Sequence, residues 1–60
     1  MKKRFLRADE AAAILNCSTR EIYRLIEAGE VRCFLVGKSK GLRIISSSLE
    51  DFIARRILEF

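Results

Sequence analysis

Between Ser18 and Gly29 the apolar residues Ile22, Leu25 and Ile26 recur at i, i+3 and i+4, the spacing that gathers side chains on one face of an α-helix. Thr19, Arg20, Tyr23, Arg24 and Glu27 are left around the other side. Ser18 and Glu21 form an S-x-x-E box, in which hydroxyl and carboxylate can each satisfy an orphan backbone N–H at a helix start. Gly29 suits a left-handed helix exit, so the pattern predicts a helix over 18–28. Upstream, Ala11, Ala12, Ile14 and Leu15 give a helix over 8–16 a mostly apolar inner surface. Asp9 and Glu10 oppose the positive end of its dipole. The alanines allow a second helix close, and Asn16 suits a left-handed exit.

Downstream the period changes. Val31–Val36 and Leu42–Ile45 are two strand-like runs around Gly37-Lys38-Ser39-Lys40-Gly41, which reads as a β-hairpin over 31–45. Phe34 and Val36, with Leu42 and Ile44, are expected to cover the helices, because an isolated hairpin is marginal. Ser46, Ser47 and Ser48 read as a turn, with Ser47 and Glu50 a second S-x-x-E box. Leu49, Phe52, Ile53, Ile57 and Phe60 then follow the helical period over 48–59, and Arg55 and Arg56 favour the negative end of its dipole. The order is helix, helix, β-hairpin, helix, behind a basic arm over 1–5. The expected fold is a small α+β, winged helix-turn-helix domain over 1–60.

Sixty residues bury only about 60% of the surface of the unfolded chain, which leaves no room for a deep catalytic cleft. Twelve Lys and Arg against eight Asp and Glu give a net charge of +4, compatible with a polyanionic partner and equally with a merely basic domain. Cys17 and Cys33 come without any His, which argues against a zinc site. Free thiols packed as small apolar groups fit a reducing cytoplasm; a disulfide between them stays open. The start MKKRFLR leads into no long apolar run, so neither a signal peptide nor a membrane span is expected. Gly37-Lys38-Ser39 echoes the end of a nucleotide-binding loop, but Arg32 stands where that motif needs a Gly. Without a shielded acid, base or nucleophile, the chain reads as a non-enzyme with no cofactor and no small-molecule substrate.

Arg20 and Arg24 project from the same side of the second helix. Arginine can read guanine through paired hydrogen bonds to O6 and N7 in a major groove that admits a helix; the other reading is a solvated ion-pair ladder of Arg20, Arg24 and Glu27. Ser18 and Thr19 stand at the helix start, where recognition helices reach base edges. Tyr23 can offer its hydroxyl to the backbone or pack its ring on the hairpin. Lys38, Ser39, Lys40 and Arg43 form a candidate wing reaching phosphates or a minor groove, unless the loop is only a solvated turn. Leu35, Ile45, Leu58 and Phe60 are candidates for self-association.

The runs A-A-A-I-L-N-C-S-T-R-E-I-Y-R-L-I-E-A-G, F-L-V-G-K-S-K-G-L-R-I and L-E-D-F resemble the excisionase-type DNA-binding family of the MerR-like winged-helix group, from about Leu6 to Ile53. The resemblance implies a second helix in a major groove, with Arg20 and Arg24 facing the bases, and a hairpin loop near a minor groove. It further implies several copies side by side that bend DNA and help a tyrosine-type integrase of a phage or mobile element run excision. A chain with no effector domain fits that role better than a ligand-sensing regulator; the alternative is a small MerR-like transcriptional regulator using the same face. A third reading is a protein-interaction module. The chain departs from the pattern at Arg7, where the family has a Thr or Ser cap, so the first helix is expected to fray. Leu42 replaces a common Trp or Tyr. Leu35 and Ile45 replace polar or Pro residues, which would leave both on the outer face of the hairpin.

Overall fold

The computed structural model describes residues 2–38 and 41–58. Strand β1 (Phe5–Leu6) leads into helix α1 (Ala8–Leu15) and helix α2 (Thr19–Glu27). Strands β2 (Cys33–Leu35) and β3 (Leu42–Ile45) follow, and helix α3 (Ser46–Arg56) completes a small α+β winged helix-turn-helix. The three strands form one antiparallel sheet in the order β1-β3-β2.

Both helix exits are closed by the same device. Asn16 takes the left-handed conformation at φ 53° and ψ 47°, and Cys17 donates to the Ala12 carbonyl at 2.9 Å. Gly29, at φ +75°, lets Glu30 donate to the Leu25 carbonyl at 2.9 Å. These six-to-one bonds satisfy carbonyls that a helix end leaves orphaned. The Asn16 exit also turns the chain sharply enough for α1 and α2 to pack together, with Ala11 and Ala12 of α1 buried.

The core is Leu6, Ala11, Ala12, Ile22, Val31, Ile44, Leu49 and Phe52. Ile44 is its centre in the sheet, paired with Leu6 on one side and Cys33 on the other. Ile14 lies outside it at 46% exposure, so the inner side of α1 is the alanine pair with half-buried Leu15.

Several features differ from the sequence expectation, each for an identifiable reason. The basic arm is a strand in part: Phe5 pairs with Ile45, Ser46 donates its N–H to the Arg4 carbonyl at 2.9 Å, and the Ser46 hydroxyl donates to the Lys3 carbonyl. Helix α3 begins at Ser46, directly out of β3, rather than at 48. Its N-cap is Ile45, with no side-chain cap, so Ser47 and Glu50 do not form the expected start. The serines serve tertiary bonds instead, Ser48 Oγ accepting from the Arg32 N–H at 2.9 Å. The helix stops at Arg56 because Ile57 is extended, at φ −66° and ψ 128°.

Strand β2 turns a different face to the helices from the one expected, while Leu42 and Ile44 of β3 lie on the helical side as expected. Antiparallel pairing puts Cys33 with Ile44, Phe34 with Arg43 and Leu35 with Leu42. Partners share a face and successive residues alternate. Cys33, Leu35, Leu42 and Ile44 therefore turn toward the helical side, and Phe34 turns away. Phe34 is 40% exposed and Val36 is also exposed.

Candidate nucleic-acid interface

Helix α2 begins where Ser18 Oγ accepts the Glu21 backbone N–H at 3.3 Å. Only half of the capping box forms, since the Glu21 carboxylate accepts from Arg24 Nη1 at 3.2 Å instead. With Ile22 buried and Leu25 and Ile26 half-buried, the opposite side of the helix is left to solvent. Ser18, Thr19, Arg20, Tyr23 and Arg24 are all exposed there. Arg20 and Arg24 stand one turn apart. The Arg24–Glu21 pair is more than half exposed on both sides, and such pairs are worth under about 1 kcal/mol. An approaching phosphate or base can displace that carboxylate at little cost.

Thr19 and Tyr23 border a shallow hollow whose other walls are Arg7, Ala8, Asp9, Leu42 and Arg43. The hollow joins the start of α1, the outer side of α2 and the middle strand of the sheet. Tyr23 is 47% exposed and so sits at the edge of the hollow, free to present its hydroxyl. Arg43 is half-buried and bonds the Leu42 carbonyl through Nη1 at 3.0 Å. It therefore belongs to the body of the sheet beside Tyr23 rather than to the tip of the hairpin.

The sequence marks Arg7 only as a poor helix cap. It lies in this hollow, 3.7 Å from carboxylate oxygens of Asp9 and Glu10. A basic residue immediately before a first helix was the available signal. The cap itself is supplied by Glu10, whose carboxylate accepts the Arg7 N–H at 2.9 Å and pairs with Lys3. The Arg7 N–H bond, then the Lys3 hydrogen bond, hold the Glu10 carboxyl below its ordinary value.

At the wing, Lys38 is exposed, while Ser39 and Lys40 lie outside the described residues. The Val36 N–H donates to the Gly41 carbonyl at 3.0 Å and closes the loop. Gly41 holds φ +89°, and a Cβ there would sit 3.3 Å from Val36 Cβ.

Of the self-association candidates, the two in the sheet lie on opposite faces. Leu35 is exposed but faces the helical side of the sheet, whereas Ile45 is half-buried on the outer face beside Phe5. Leu58 is 77% exposed beyond α3, and Phe60 lies outside the described residues. Arg55 and Arg56 do more than favour a dipole. Arg55 donates to the Glu30 carbonyl at 3.0 Å, and Arg56 pairs with the Glu30 carboxylate at 3.3 Å. Together they tie α3 to the turn after α2.

Cys17 and Cys33 are half-buried free thiols. No helix of the described residues is long and apolar enough to cross a membrane.

A helix-turn-helix domain family matches residues 5–57, nearly the whole chain, and the chain belongs to that family. It is a DNA-binding family that includes excisionase-like members and is typically non-enzymatic. No match is found among curated proteins or among solved structures.

Proposed function

We propose that this helix-turn-helix protein is an architectural DNA-binding protein of the excisionase type. It binds repeated sites in a bacterial cytoplasm, bends the DNA and directs a tyrosine-type integrase toward excision. Helix α2 enters the major groove with Ser18, Thr19, Arg20, Tyr23 and Arg24 toward the duplex. The wing of Lys38, Ser39 and Lys40 lies by the adjacent minor groove. Arg43, with Arg7, lines the hollow beside Tyr23 and takes the phosphate strand that passes between helix and wing.

The observation that carries this reading is the pair Arg20 and Arg24. Both are exposed on one side of a capped helix, the arrangement that bidentate contacts to guanine require. Arg20 has no ion-pair partner among the described residues, so its guanidinium is available without exchange.

Two experiments test it in order. A salt titration of binding to duplex DNA is expected to give log K falling with a slope of roughly −4 to −6, about −0.9 per phosphate contact. A flat titration, or no binding at low salt, rejects DNA binding through this face. Footprinting across the native locus, with excision and promoter output measured separately after deletion, then tests the architectural role. Loss of excision with unchanged promoter output supports it; the reverse assigns the same face to transcriptional regulation.

A further inference from the structure

The sheet has two edges, and they differ. In the β2–β3 pair, Ile45 donates to the Arg32 carbonyl at 3.1 Å and Val36 to the Gly41 carbonyl at 3.0 Å. With Phe34 opposite Arg43, the hydrogen-bonded positions of β2 are therefore 32, 34 and 36, because such pairs alternate along an antiparallel ladder. The N–H and C=O groups of Cys33 and Leu35 point the other way, out of the sheet, where no described residue bonds them.

Natural edge strands are guarded by lysines, prolines or bulges. Neither β1 nor β2 carries a charge or a Pro within the strand, but β1 follows three basic residues, Lys2, Lys3 and Arg4, whereas one, Arg32, precedes β2. Leu35 is 56% exposed on it. Beside it on the outer face, Phe34 meets Phe5 edge-on, ring centroids 5.1 Å apart.

We propose that this edge takes a second copy of the chain, β2 against β2, antiparallel about a two-fold axis at Phe34. The register follows from the open groups. Cys33 of each copy faces Leu35 of the other as a hydrogen-bonded pair, which uses all four outward N–H and C=O groups of each strand in four bonds. Phe34 of one copy then meets Phe34 of the other in the intervening non-bonded pair, where Cα atoms approach to about 4.5 Å. The aromatic pair on each outer face merges into a cluster of four rings. The exposed Leu35 gains a neighbour on the helical side. A two-fold contact uses one patch twice, and this strand is complementary to itself in that register.

Three residues a side cover far less than the roughly 1,200–2,000 Å² of a stable interface. The dimer is therefore weak in free solution and fills when two copies are held close on one support. The contact does not depend on what α2 binds.

Trapping tests it. On a C17S/C33S background, F34C places thiols at the two-fold axis within the Cα range of about 4.4–6.8 Å that a disulfide accepts. Mild oxidation should double the mass of F34C several-fold faster than that of A54C, an exposed collision control on α3. Circular dichroism of each reduced variant verifies the fold. F34C bridging no faster than A54C overturns the proposal. F34K, which sets two ammonium groups against each other on the axis, should abolish any concentration-dependent dimer seen for the wild type in sedimentation; a dimer that survives F34K lies elsewhere and also overturns it.

Discussion

Glu10 closes the start of α1 by accepting the Arg7 backbone N–H at 2.9 Å, the reciprocal half of a capping box in which a hydroxyl at position 7 would accept the Glu10 N–H. The same carboxylate holds Lys3, so one side chain ties the N-terminal segment to the helix it precedes. These contacts lower its folded pKa. A carboxyl whose pKa is depressed on folding stabilises fully above its unfolded value and loses that contribution as pH falls through the folded value. Glu10→Gln is expected to melt below the wild type at neutral pH, with the gap closing as the solution is acidified below the usual carboxylate range. Thermal melts of both proteins across that range check it; a gap independent of pH sinks the assignment.

What the sequence made legible was local. Ser18 and Gly29 bracket α2, and Asn16 marks the end of α1, because caps and left-handed exits are decided within a few residues. What it hid was long-range. Phe5–Leu6 is too short to show alternation, and its partner in the sheet is about forty residues away. The serines at 46–48 read as a turn, yet a strand that runs straight into a helix needs none. Leu42 and Ile44 read correctly as facing the helices, but the face of β2 did not, because a shift of one residue in register turns every side chain of a strand over. At the candidate site, Arg20 and Arg24 were readable from helical spacing. Arg43 was readable only as a wing residue and Arg7 only as a poor cap, since the packed sheet alone brings both beside Tyr23.

Ser46 is buried at 5% exposure and donates its hydroxyl to the Lys3 carbonyl. Removing the hydroxyl leaves that carbonyl one partner short and loosens the β1 edge. Ser46→Ala should cost about 1–3 kcal/mol, measured by urea unfolding, and should speed amide exchange in the segment 3–6 first. Unchanged exchange there separates a general loss of stability from the specific tie.

Gly29 and Gly41 both hold positive φ but differ in surroundings. A Cβ at Gly29 meets open space, whereas one at Gly41 comes 3.3 Å from Val36 Cβ. Gly29→Ala should therefore cost only the left-handed backbone term, about 1–2 kcal/mol. Gly41→Ala adds a steric contact at the base of the wing and should cost more. Equal losses in chemical denaturation contradict this ranking.

Arg24 and Lys38 separate reading a sequence from holding a backbone. If Arg24 reads a base from α2, Arg24→Ala should cost about 1–3 kcal/mol on the preferred site and flatten the preference at one base position. If Lys38 contacts a phosphate from the wing, Lys38→Ala should weaken all duplexes alike and reduce the salt slope by about one unit. Both side chains are exposed, so neither change should alter the melting temperature much, and binding is read without a folding correction. Titrations of each variant against specific and scrambled duplexes at several salt concentrations make the comparison. Two silent variants would move the interface off α2 and the wing. A loss of preference in Lys38→Ala with Arg24→Ala uniform would exchange their roles.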